Sequence, residues 1–177
     1  MSFEEKTIES KVVYEGPIFK IRKHKVETVA GESYRDVLEH NGGSAMVAVT
    51  DEGKILLVGQ FRKALEKVLL ELPAGKIDPG EDPKVTARRE LKEETGYTAE
   101  SIEYLLTITP SCGYSNELLY IYLCKGLTPG DVDWDDTEDL DIYEYEADEI
   151  IDMIKSNQII DAKTIAGILY ARNARLI

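Results

Sequence analysis

The segment Gly75–Tyr97, GKIDPGEDPKVTARRELKEETGY, constrains this chain more than any other. Its second half carries its own start and stop signals. Asp82 suits an N-cap, Pro83 the first helical position and Gly96 a C-terminal cap, so a short helix is predicted between them. Inside it lie Glu90, Glu93 and Glu94, and helical residues three or four apart share a face, with Cβ atoms roughly 5–6 Å apart. Carboxylates placed together repel unless something positive lies among them. A hard divalent cation such as Mg²⁺, which takes oxygen ligands and is often held with substrate phosphates, suits that place. Upstream, Pro73, Gly75, Pro79 and Gly80 predict a stiff, irregular loop that brings backbone groups to the same ion. For a lone Glu-x-x-Glu-Glu a solvated acidic face would be the simpler reading; the rest of the segment argues against it.

Composition narrows the partners. A chain of 177 residues with 43% hydrophobic side chains suits one folded domain with a substantial core. A formal net charge of -13 disfavours a nucleic-acid backbone as partner, and an acidic protein that handles phosphates needs cations at the contact. The opening MSFEEKTIES lacks the apolar core of a signal peptide, and no apolar run approaches the roughly 20 residues of a membrane span. With Cys112 and Cys124 read as free thiols, the expectation is a cytoplasmic enzyme.

Along the chain, Thr7–Tyr14, Phe19–Val29 and Tyr34–His40 read as extended segments, with turns at Gly16-Pro17 and at residues 30–33. They suggest a small antiparallel sheet over residues 1–41, ahead of a main domain at 42–177. Ser44–Thr50 and Lys54–Gln60 read as a hairpin of buried strands around Asp51-Glu52-Gly53, and Val68–Leu72 leads into the Gly75 loop. After the helix come strands at Ile102–Ile108, Glu117–Lys125 and Ile142–Tyr145. Two further helices follow, one over 148–157 and one after Asp161 as N-cap. Residues 131–141, DVDWDDTEDLD, place seven carboxylates around one tryptophan; one or two of them are expected near the cation, the others in solvent. Val85 and Leu91 are assigned to the buried face of the central helix.

The segment also fits a known pattern without a gap. Gly75, Glu81, Arg89, Glu90, the apolar Leu91, Glu93, Glu94 and Gly96 match the Nudix box, with Tyr97 where an aliphatic residue is usual. The chain therefore resembles the Nudix hydrolases. The resemblance implies an α/β/α sandwich with a mixed central sheet, and hydrolysis of a nucleoside diphosphate linked to another group. By the same resemblance Glu90, Glu93 and Glu94, with the backbone of Ala74 or Gly75, hold Mg²⁺ (Mn²⁺ being the substitute). Arg89 and Glu81 form the pair that orients the glutamates. For the base that activates water, Glu138 is the first candidate, followed by Asp136 and by Glu94 itself.

Glu71-Leu-Pro-Ala-Gly75, preceded by Gln60-Phe-Arg62, is similar to the ADP-ribose pyrophosphatase branch, as is the loop Ser111-Cys112-Gly113-Tyr114-Ser115-Asn116-Glu117. Cys112 stands where that branch usually has proline. The implied reaction is ADP-ribose to AMP and ribose 5-phosphate, with Arg62, Glu71, Gly113 and Glu117 at the substrate. A surface ion pair with Glu66 is the alternative use of Arg62. The branch also implies a homodimer whose N-terminal sheets complete the substrate pockets. GDP-mannose, other sugar nucleotides and NADH are the rival substrates, and a non-cleaving ADP-ribose sensor is the rival function.

Overall fold

The computed structural model describes residues 3–132, 134 and 139–177. Two compact units can be separated, one of residues 1–42 with 109–118 and one of 43–108 with 119–177.

In the first unit β1 (Lys6–Glu15), β2 (Lys20–Thr28) and β3 (Gly31–Glu39) form an antiparallel sheet in chain order. The β2–β3 turn is tighter than the sequence suggests. Val29-Ala30 closes it, Gly31 at φ 109° already begins β3, and Glu32 pairs with Glu27. β1 is exposed along its whole length, and Val26 is the buried hydrophobic residue of this sheet. Segment 109–118 lies against β3: Leu38 exchanges backbone hydrogen bonds with Tyr114 (2.7 Å) and Asn116 (3.1 Å).

The second unit is an α/β/α sandwich. Its strands are β4 (Gly43–Ala48), β5 (Ile55–Arg62), β6 (Lys67–Glu71), β7 (Ala74–Lys76), β8 (Thr98–Ile108), β9 (Leu119–Thr128) and β10 (Leu140–Tyr145). Its helices are α1 (Pro83–Thr95), α2 (Ala147–Lys155) and α3 (Ala162–Asn173). A mixed sheet runs β7-β4-β9-β8, parallel only between β4 and β9; an antiparallel sheet runs β10-β5-β6. All six residues of β4 are buried, because both faces of the strand are covered. Ala45 and Val47 point into a core with Ile150 of α2 and Ile168 of α3, whereas Met46 and Ala48 join Ala87 and Leu91 of α1.

Two expectations are corrected here. β4 and β5 flank a tight turn at residues 51–53 but share only the bridge Val49–Ile55. Both edges of β4 are taken, by β7 and β9, so β5 pairs with β10 and β6 instead. Val85 is exposed, whereas Thr86, Ala87, Leu91, Glu94 and Thr95 are buried. Counting back four residues from Leu91 along the helix reaches Ala87, which leaves Val85 off the packed face. Burying Leu91 completely contributes on the order of 2 kcal/mol.

Candidate active site

α1 begins and ends as its caps dictate. The Asp82 carboxylate accepts from Lys84 N–H at 2.9 Å, Pro83 opens the helix, and Gly96 closes it at φ 75° with its N–H on the Lys92 carbonyl. Ser44 of β4 donates to the Pro83 carbonyl at 2.7 Å, which fixes the helix start to the central sheet. With Ala87 and Leu91 turned into the core, Arg89, Glu90 and Glu93 come to the opposite side.

Arg89 ties these carboxylates together. Its Nη1 donates to Glu90 Oε1 (2.7 Å) and Glu93 Oε2 (2.9 Å); its Nη2 donates to Glu81 Oε2 (3.0 Å) and the Lys76 carbonyl (3.2 Å). Glu81 also accepts from the Thr86 hydroxyl at 2.7 Å. The Arg89 guanidinium, seconded by that hydroxyl, pulls the Glu81 carboxyl down to about 2. In return Glu81, with Glu90 and Glu93, holds the guanidinium charged against the cost of burial.

Two residues of β7, in the stretch ahead of the helix, meet the box glutamates Glu94 and Glu90. The Ala74 N–H donates to Glu94 Oε2 at 2.9 Å, and Glu94 is only 3% exposed. Gly75 lies so close to the Glu90 carboxylate that any Cβ there would overlap it. The loop thus needs glycine at 75 for close approach. β7, with Ala74 and Gly75 paired to Ala45 and Ser44, was not foreseen, and it gives this loop its rigidity.

Among the described residues no three acidic, histidine or cysteine side chains already enclose a cation. Arg89 draws three of the four carboxylates to itself, and the Ala74 amide holds the fourth. The donor set nevertheless fits a hard divalent ion: Glu81, Glu90, Glu93 and Glu94 offer only oxygen, with a single guanidinium set among four carboxylates.

Beside this lies a second charged cluster that the sequence did not reveal. Arg62 Nε and Nη2 grip Glu71 Oε1 and Oε2, each at 2.8 Å, so Arg62 pairs with Glu71, and Lys63 takes Glu66. Glu71 is 2% exposed and also accepts from Lys163, itself buried. Burial would raise the Glu71 carboxyl, but the Arg62 fork and Lys163 together hold it below the ordinary range. Both Glu71 oxygens are thus engaged, by Arg62 and Lys163. Arg62 feels the field of Glu94 as well as that of Glu71, its main partner. Lys163 gave no signal in the sequence, since lysine is rarely buried.

Trp134, within the acidic segment, donates from Nε1 to the Glu94 main-chain carbonyl at 2.9 Å. Gly96 adjoins the backbone of residues 130–132, where a Cβ would clash. Glu138 and Asp136 lie outside the described residues. In the first unit, His40 Nδ1 stands 3.3 Å from Glu117 Oε1 and accepts from Gly42 N–H at 3.0 Å; Gly113 faces open space.

Comparison with known proteins adds to this geometry. Residues 40–167 match the model of the NUDIX domain. The chain is 42% identical to a methanol dehydrogenase activator of Bacillus methanolicus, over 95% of this chain and 92% of that protein. It is 38% identical to an ADP-ribose pyrophosphatase of Bacillus subtilis (strain 168), over 96% and 93%. A crystal structure of an ADP compounds hydrolase superposes with a TM-score of 0.85 at 20% identity, covering 98% of this chain and 95% of that one.

Proposed function

This chain belongs to the NUDIX family, and on that footing we propose that it hydrolyses the diphosphate of ADP-ribose to AMP and ribose 5-phosphate. One observation carries the reading: Arg89 gathers Glu81, Glu90 and Glu93 on one side of α1, while Ala74 holds Glu94 beside them. The 38% identical pyrophosphatase, aligned over nearly both full lengths, supports the choice of substrate.

Glu90, Glu93 and Glu94, with the Ala74 carbonyl, would hold Mg²⁺, for which Mn²⁺ would substitute. Bound there, the ion supplies neutralisation of the diphosphate and a lowered pKa for the attacking water. The chain's own residues do the rest. Arg89 aims two of the glutamates and relieves their mutual repulsion. Arg62, held along one edge by Glu71, turns its remaining N–H groups to a phosphate oxygen. A carboxylate takes the proton of the attacking water as the bond from phosphorus to the bridging oxygen breaks. Glu138 is assigned this role, ahead of Asp136 and Glu94. Gly113 and Glu117 are assigned to the substrate on the strength of their loop motif, and the protein is read as a homodimer. No helix among the described residues is long and apolar enough to cross a membrane.

The test is release of AMP from ADP-ribose by the purified protein, with Mg²⁺ and with EDTA. Metal-dependent AMP is the expected result; cleavage of GDP-mannose or NADH instead moves the substrate assignment, and binding of ADP-ribose without cleavage makes the protein a sensor. A second reading draws on the 42% identical relative, whose name describes it as an activator of methanol dehydrogenase. A methanol dehydrogenase rate left unchanged by this chain, under conditions where ADP-ribose is cleaved, removes that reading.

A further inference from the structure

Leu72 and Pro73 connect β6 to β7, and they and Ala74, the first residue of β7, are each pinned to a different element. Leu72 N–H donates to Thr164 Oγ1 of α3 at 2.8 Å. The Pro73 carbonyl accepts from Met46 N–H of β4 at 2.9 Å. Ala74 N–H donates to Glu94 Oε2 of α1 at 2.9 Å. The last of these orients a box glutamate; Met46 holds the Pro73–Ala74 peptide itself and Thr164 the peptide that leads into it, so the two bonds together set where the Ala74 amide points.

α3 supplies that anchor with polar groups where apolar ones would pack at lower cost. Thr164 is fully buried, and its hydroxyl both accepts from Leu72 and donates to Asp161 Oδ2 at 2.7 Å. Lys163, 6% exposed, spans Asp161 at 3.1 Å and Glu71, the residue before Leu72. A buried ammonium carries a large desolvation penalty, which its pairing to Glu71 at the end of β6 offsets. Gly167, one turn further on, lets the helix come close: a Cβ there would stand 3.0 Å from Leu72 Cδ1.

We propose that Lys163 and Thr164 are positioning residues for the cation site, holding Glu71 and Leu72 so that the Ala74 amide keeps Glu94 in its ligating orientation. The proposal rests on the reading of Glu94 as a ligand. Neither residue touches the substrate or the ion; both act through the connector.

The experiment measures Mn²⁺ affinity of the whole protein, without nucleotide, by electron paramagnetic resonance, alongside thermal melting. Thr164→Val keeps the side-chain shape and removes the hydroxyl; about a tenfold weaker affinity is expected, in the range of lost outer-shell support. Thr164→Ser restores the acceptor and should bind within about twofold of wild type. Lys163→Met, the second variant in case Thr164→Val does not fold, should also weaken binding about tenfold. A folded variant of either kind that melts earlier yet binds Mn²⁺ as wild type does overturns the proposal, since α3 would then be a structural anchor only. Failure of wild-type protein to bind Mn²⁺ would instead overturn the reading of the box on which it depends.

Discussion

The indole N–H of Trp134 donates to the main-chain carbonyl of Glu94 at 2.9 Å, so a residue of the acidic segment is bonded to the last turn of the helix that carries the box glutamates. Trp134→Phe keeps a ring and deletes the donor. Loss of one such bond costs about 1 kcal/mol, which for a chain of this size lowers the melting temperature by about 2–4 °C. If the acidic segment supplies the base, kcat for ADP-ribose falls at least about tenfold with Mn²⁺ affinity unchanged. An unaltered kcat would place the base in the box.

Gly75 tests the close approach of loop and glutamate. In Gly75→Ala the new methyl and the Glu90 carboxylate would occupy the same space. Glu90 must swing away, so turnover should fall by about a hundredfold or more, with the circular dichroism spectrum retained. Activity near wild type would show that Glu90 does its work from another rotamer.

Glu81 gives the site a pH signature. It stays ionised in the folded chain down to about 2, against an ordinary 4.5. Between those values the unfolded chain binds the proton first, so stability present above pH 4.5 is lost as pH falls towards 2. Glu81→Gln should flatten that part of the curve of melting temperature against pH. The same slope in variant and wild type would sink the assignment.

The two thiols should behave differently. Cys112 is exposed, whereas burial pushes the Cys124 thiol up to about 12. At pH 8 an aromatic disulfide reagent should label one thiol per native chain quickly and the second only in denaturant. Rapid labelling of both would mean that β9 opens readily.

How far the fold could be read from the residues depended on range. The limits of α1 were legible because Asp82, Pro83 and Gly96 act on their own neighbours. The N-cap of α3 was legible for the same reason: Asp161 caps Thr164 N–H at 2.9 Å. The pairing of β4 and β5 was not, because whether two adjacent strands zip together depends on which distant strands claim their edges. Val85 misled because apolar character marks a candidate for burial but does not give the angle at which a helix meets its sheet. Within the site, the box residues stood in one segment and could be read together. The Arg62–Glu71–Lys163 cluster joins a strand pair to a helix 92 positions away, and nothing local in Lys163 announces a buried partner.

The anchoring of Leu72 by Thr164 also bears on the order in which the molecule matures. The connector is synthesised 92 residues before the hydroxyl that accepts its amide. During synthesis the box can already wind into its capped helix while the strand leading into it still lacks α3. A nascent chain therefore carries the acidic residues well before it carries the geometry, and closing so long a loop makes that contact a late event in folding. If Thr164 positions the site as proposed, competence for chemistry waits until α3 has been made.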